Sequence, residues 1–315
     1  MFVHSLTQFL KAVRLPYSWR KMEAVKKGIP KLRVLQYFHD CVAENIFIRL
    51  FPVSGCTLYK GKKRLETITV SMTSFPARIN QAYYAIKSLM VQSCPPDRIV
   101  LWLALNQFPD RTLPEQFNSL VEKGLEIKWC SDKRSHKKYY YALKEQKKDE
   151  LVITYDDDII YEYDSIEKLV NAHKLFPNAI ICNRAHEITL GDEGIMPYKY
   201  WKLSSDVGCS QPALALMPST GNGCLYPFGI MPDITFDWEV CRNTAPTADD
   251  IWMKFCSLKN KVKVLKTKPC IATLCNVFGS QRHTLTSIND VGGENQVVID
   301  KLTKYFNFTK ESFES

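Results

Sequence analysis

Leu151-Val152-Ile153-Thr154-Tyr155-Asp156-Asp157-Asp158-Ile159-Ile160-Tyr161 places three consecutive carboxylates directly after an apolar run. Leu151–Tyr155 reads as a buried strand, being β-branched and aromatic without a charge. Carboxylates repel one another and resist burial, so a triplet at the end of such a strand points to bound cations or to solvent. In an extended backbone successive side chains alternate faces, which would aim Asp156 and Asp158 the same way. Two carboxylates converging there suit a hard ion, Mg²⁺ or Mn²⁺, with positions left for water and phosphate oxygens. A solvated acidic turn is the competing account, and the apolar residues on both flanks weigh against it.

Outward from this stretch the chain alternates strands and helices. Thr67–Met72 is β-branched and reads as a strand ending at Ser74-Phe75-Pro76. The spacing of Ala82, Ala85, Ile86, Leu89 and Met90 predicts a helix over 80–91, stopped by Pro95-Pro96. Ile99–Leu103 is the next strand, a helix runs from Pro114 to Lys123, and Leu125–Trp129 is a third strand. A helix over 139–147 then leads into Leu151–Tyr155. Such alternation implies an α/β fold with a mostly parallel sheet flanked by helices, in which ligands bind beyond the carboxyl ends of the strands. The triplet sits at that edge. After residue 162 the pattern loosens.

At 315 residues, with 45% hydrophobic and 24% charged content, the chain can bury a sizeable core. Its net charge of +9 is uneven. Residues 1–65 hold thirteen Lys/Arg against three acids, net +10, which leaves the other 250 residues at −1. Apolar positions in 1–65 recur at near-helical spacing, so this is a basic, helical N-terminal extension that can lie on an anionic membrane or pack on its own domain. Aromatic-plus-basic stacking motifs are missing, which disfavours nucleic acid as a partner. The expected division is 1–65 as extension, with 66–162 and 163–315 as two halves of one α/β domain. The eleven cysteines show no C-x-x-C spacing and several lie in apolar runs, arguing for reduced thiols in a cytoplasmic protein. No stretch reaches about 18 apolar residues and no secretory signal is legible at the start.

Further clusters fall at strand ends and loops. Ser71, Thr73 and Arg78 follow the first strand and could hold a nucleotide, or form a helix cap beside a surface arginine. Asp132 and Lys137 follow the third strand, where an acid could meet a ribose or base and a cation a diphosphate, unless the loop is simply solvated. Thr220-Gly221-Asn222-Gly223 permits a close backbone approach or a tight turn. Asp249-Asp250 opens a helix, where acids often cap but can also accept a proton from a hydroxyl. His186 and His283 are the histidines to watch, although a lone histidine is more often structural.

Taken in order, these clusters resemble the GT-A glycosyltransferases of bacterial capsule and lipopolysaccharide gene clusters, over roughly residues 66–300. The resemblance implies a Rossmann-like GT-A fold and a D-x-D motif at Asp156 and Asp158, with Asp156-Asp157 as an alternative frame. It implies Mn²⁺ or Mg²⁺ on the diphosphate of a nucleotide-sugar, with Ser71, Thr73, Arg78, Asp132, Lys137 and Asp156 on the donor. His283 would be a third metal ligand. Asp250 would be the base that deprotonates an acceptor hydroxyl and Asp249 its orienting neighbour, favouring inversion.

The expected activity is therefore transfer from a nucleotide-sugar, a UDP-sugar by preference, to a glycan acceptor. A lipid-linked glycan at the inner face of the plasma membrane, in surface polysaccharide synthesis, is the expected setting. A haloacid-dehalogenase-type phosphatase also uses D-x-D, but on an early strand. A non-catalytic nucleotide-sugar or glycan-binding module is the third reading.

Overall fold

The computed structural model describes residues 41–192, 194–204, 210–267, 275–280 and 293–314. Residues 41–50 are helical (α1); the first forty residues of the basic extension lie outside the described part. The alternating half follows the sequence expectation closely. β1 (Thr67–Thr73), α2 (Ile79–Leu89), β2 (Arg98–Ala104), α3 (Gln116–Glu122), β3 (Leu125–Cys130), α4 (Lys137–Lys144) and β4 (Glu150–Tyr155) succeed one another. Then come α5 (Ser165–Leu175), β5 (Ile180–Cys182), β6 (Asn222–Tyr226), α6 (Trp238–Thr244), α7 (Asp249–Lys259), β7 (Val264–Lys266) and α8 (Glu294–Phe306).

The seven strands form one sheet in the order β7-β5-β6-β4-β1-β2-β3. β1 runs parallel to β2 and β4, β2 to β3, and β7 to β5. β6 alone is antiparallel, lying between β4 and β5. The fold is thus α/β with a mostly parallel sheet flanked by helices, and strands from both expected halves share it. Helices cover both faces, so the strands carry apolar residues in both directions. Leu151, Ile153, Ile181 and Leu225 face the layer of α2 and α5. Val152, Ile180, Cys224 and Val264 face the layer of α4, α7 and α8, where Tyr139, Trp252, Phe255 and Leu302 are buried.

Local chemistry explains the breaks. On α2, Ala82, Ala85, Ile86 and Leu89 recur at helical spacing and are all fully buried, so packing rather than propensity holds the helix. Ile86 and Leu89 each contribute about 1.5–3 kcal/mol on burial. Gly124, at φ +104°, follows α3 in a conformation that a β-carbon would strain and lets the chain turn into β3. The nine described cysteines are free thiols, as compositional reading expects. Among the described residues no helix is long and apolar enough to cross a membrane.

One core group conflicts with its surroundings. Lys254, on α7, is fully buried and its Nζ has no hydrogen-bond partner. Burial pushes its amine down to about 7, with Cys182 acting weakly the other way. A folded value below the unfolded one means that the amine destabilises most below pH 7, and that the cost fades as pH rises toward the unfolded value. Replacing Lys254 with the similarly shaped Met should raise stability by about 2 kcal/mol at pH 7. The gain should shrink toward pH 10, read by urea denaturation across that range.

Candidate functional site

β4 ends at Tyr155, and residues 156–158 make a turn before Ile159–Ile160, which pairs with Cys275–Asn276. The triplet is therefore not extended, and strand alternation does not orient it; specific partners do. Asp157 turns inward and is buried, its Oδ2 accepting from Ser74 Oγ at 2.5 Å and its Oδ1 from Arg78 Nη1 at 2.8 Å. Arg78 Nη1 also lies 3.0 Å from Asp158 Oδ2. Asp156 keeps 39% of its side chain exposed and Asp158 14%. Burial pushes the Asp158 carboxyl up to about 7, and the neighbouring Asp156 charge adds to this against Arg78.

Gly221 explains part of the glycine motif. The Asp156 N–H donates to Gly221 O at 3.0 Å, and a β-carbon on Gly221 would lie 1.7 Å from Asp156 Oδ2. Only glycine lets β6 and its preceding turn approach the carboxylate so closely. The hydroxyl of Tyr161 seals the same corner, donating to Gly221 O at 2.7 Å.

The second acidic pair stands across Lys138. Its Nζ is 2.6 Å from Asp156 Oδ1 and 2.8 Å from Asp249 Oδ2. Thr220 completes the group: its N–H donates to Asp250 Oδ1 at 2.8 Å, and its Oγ1 is 2.7 Å from Asp249 Oδ2 and 2.5 Å from Asp250 Oδ1. That hydroxyl has one proton and serves one carboxylate at a time. Neither acid caps α7, whose N-cap is Ala248 without a side-chain bond, so the capping account fails and both carboxylates face Thr220. Burial raises both, yet the Lys138 ammonium holds Asp249 well below the usual carboxylate range. Asp250 is pushed up to about 6 by burial and by the Asp249 charge. Environment has separated two adjacent carboxylates, one firmly ionised and one poised near neutrality.

His136 anchors this corner. It is fully buried, with Nδ1 2.9 Å from Tyr139 Oη and Nε2 2.9 Å from Ala245 O. A carbonyl only accepts, so Nε2 carries a proton. Burial holds the imidazole down at about 4. A folded value below the unfolded one gives stability that is complete above the unfolded value and lost as pH falls toward 4. A His136→Gln variant should therefore be less stable than wild type at pH 7, by about 2 kcal/mol. The gap should close between pH 6.5 and 4, measured by denaturation at each pH.

The other sequence candidates divide. Thr73 sits at the end of β1, its hydroxyl donating to Trp102 O at 2.8 Å. Asp132 and Lys137 pair at 2.6 Å beyond β3, and Asp132 also accepts from Arg134 N. Ser71 is fully buried, accepts from Trp102 Nε1 at 3.0 Å and donates to Lys138 O at 2.5 Å. Its one hydroxyl proton is committed to the core, and the side chain is closed off from solvent. Arg78 is likewise engaged by Asp157 and Asp158. His186 is buried in the fold and accepts from Ser204 N at 2.9 Å. His283 lies outside the described residues.

Two residues escaped sequence reading. Thr220 belongs to a motif noticed for its glycines. Lys138 neighbours the chosen Lys137, but α4 begins at Lys137, so the two lysines leave the first turn about 100° apart and only Lys138 faces Asp156.

No protein-family model matches this chain, and no curated protein does. Among solved structures it is similar to 4-diphosphocytidyl-2C-methyl-D-erythritol synthase from Anaerococcus prevotii. The two are 14% identical, with 66% of this chain and 91% of that one covered at a TM-score of 0.39.

Proposed function

We propose that the chain is a metal-dependent glycosyltransferase that moves a sugar from a nucleotide-sugar, a UDP-sugar first, to a hydroxyl of a glycan. The observation that carries this is the meeting of Asp156 with Asp249 across one ammonium at the carboxyl edge of the sheet, each with a second carboxylate, Asp158 and Asp250, close by in the chain. Five carboxylates (Asp156, Asp157, Asp158, Asp249, Asp250) face two cations (Arg78, Lys138), a surplus of three negative charges once all five are ionised. A divalent cation would offset most of that surplus, and an all-oxygen donor set suits Mg²⁺ or Mn²⁺. Asp156 and Asp158 would hold it. No cluster of three or more metal-ligating side chains occurs among the described residues, so phosphate oxygens and water would complete the sphere. When bound, the ion supplies charge neutralisation to the departing diphosphate.

The chain's own residues account for the rest. Asp250, poised near neutrality, accepts the proton of the acceptor hydroxyl. That oxygen bonds to the anomeric carbon as the bond from carbon to the phosphate oxygen breaks, and the electron pair leaves with the nucleoside diphosphate. Attack from the face opposite the leaving group inverts the anomeric centre. Asp249, kept ionised by Lys138, holds Thr220 and so orients Asp250. Contact with an anionic membrane is part of the proposal: the basic extension supplies charge, and α1 exposes Ile46 and Leu50 on one side.

Thermal stabilisation by a panel of UDP-, GDP- and CDP-sugars with Mn²⁺ tests the reading. A Mn²⁺-dependent shift with one nucleotide class, absent in Asp158→Asn, is the expected result. Release of inorganic phosphate from phosphoesters without sugar transfer would sink it in favour of a phosphatase. Flotation with anionic liposomes, lost when residues 1–65 are removed, checks the membrane contact.

A further inference from the structure

Lys138 holds a place that neither acidic group explains alone. Only 3% of its side chain is exposed, with Asp156 Oδ1 at 2.6 Å and Asp249 Oδ2 at 2.8 Å from Nζ. An ammonium has three protons and can serve both carboxylates at once. Its backbone is held independently, because Lys138 O accepts from Ser71 Oγ, which accepts in turn from Trp102 Nε1. The first two strands of the sheet thus fix where α4 begins and where this amine stands. Among the described residues it is the one cation paired with both acidic groups. Asp249 and Asp250 are adjacent in the first turn of α7, so holding one carboxylate sets the direction of the other.

We propose that Lys138 is a positioning residue shared by the two half-sites. It orients Asp249, and through α7 Asp250, while occupying Asp156 until a divalent cation displaces it there. The inference rests on Asp156 and Asp158 being the cation's donors. An ammonium and a metal ion compete for one carboxylate oxygen, so removing the ammonium frees Asp156 and adds one net negative charge to the site. Lys138→Met should then bind metal more tightly yet transfer sugar more slowly. A merely structural lysine would not give that pair of effects, since a loosened fold weakens both.

Mn²⁺ alone, titrated calorimetrically into the full chain, provides the readout. Lys138→Met should bind about tenfold more tightly than wild type, and Lys138→Arg within about threefold of it. With a donor identified by the nucleotide-sugar panel, kcat of Lys138→Met should fall about a hundredfold while the donor KM stays within about threefold. Unchanged or weaker Mn²⁺ binding in Lys138→Met overturns the proposal, as does unchanged kcat. A second comparison needs no metal. Lys138→Met leaves Asp249 buried without its cation, so adding Asp249→Asn should restore the thermal midpoint by roughly 5 °C. No recovery overturns the bridge. Wild type that binds no Mn²⁺ removes the cation reading alone, and the midpoint comparison then decides the bridge. Lys138→Gln serves in the same measurements if Lys138→Met does not fold.

Discussion

Asp250→Asn lowers kcat for sugar transfer by about two to four orders of magnitude, the range a positioned general base contributes. Asn keeps the shape and can still accept from Thr220, so donor binding at Asp156 and Asp158 should persist, with donor KM within about threefold. The expected loss is large because nothing nearby can replace the base. Asp249 is tied to Lys138 and Thr220 and held well below the usual carboxylate range, which makes it a poor proton acceptor. Asp250 alone of the pair is raised, to about 6. A base must be deprotonated to act, so wild-type turnover should rise with pH through about 6, and that limb should vanish in the variant. Steady-state kinetics under saturating donor, across pH 5 to 8, measures both. Turnover of Asp250→Asn within threefold of wild type would remove Asp250 from the mechanism.

Arg78→Leu destabilises the fold by about 3–5 kcal/mol, the usual cost of stripping one partner from a buried ion pair. Arg78 Nη1 lies 2.8 Å from Asp157 Oδ1 and 3.0 Å from Asp158 Oδ2, with side-chain exposures of 12%, 6% and 14%. Burial opposes the guanidinium charge, and the two carboxylates more than restore it. Without the guanidinium, Asp157 keeps only Ser74, and burial already pushes its carboxyl up. The penalty belongs to ionised carboxylates, so it should shrink as pH falls and they protonate in the variant. Urea denaturation at pH 8 and pH 5 checks the sign: the gap to wild type is larger at pH 8. A loss below about 1 kcal/mol at pH 8 would show that the pair is solvated after all.

How much of this was legible in advance depends on the range of the forces involved. β1, α2, β2, α3, β3 and β4 fall within a residue or two of their sequence expectations, because each is set by hydrophobic period and local breakers such as Pro95-Pro96 and Gly124. The start of α4 was misplaced by two residues, enough to select Lys137 rather than Lys138. β6 was not foreseen as antiparallel, since its pairing with β4 and β5 joins segments far apart in the chain. Ser71 looked like a ligand group from its position after apolar residues. Its commitment to Trp102 and Lys138 depends on neighbours 31 and 67 positions away.

The aspartate triplet shows where the boundary lies. By itself the sequence determined that three carboxylates end a buried strand of an α/β sheet, and that an acidic pair opens a later helix. Charge repulsion and hydrophobic periodicity act over a few residues and can be read from the chain. Only the tertiary structure decided what each carboxylate faces. It turned Asp157 inward onto Ser74 and Arg78, left Asp156 and Asp158 the more exposed of the three, and set Lys138 between Asp156 and Asp249. Those assignments depend on contacts 18 to 111 residues apart, and no local pattern encodes which distant cation a carboxylate will meet.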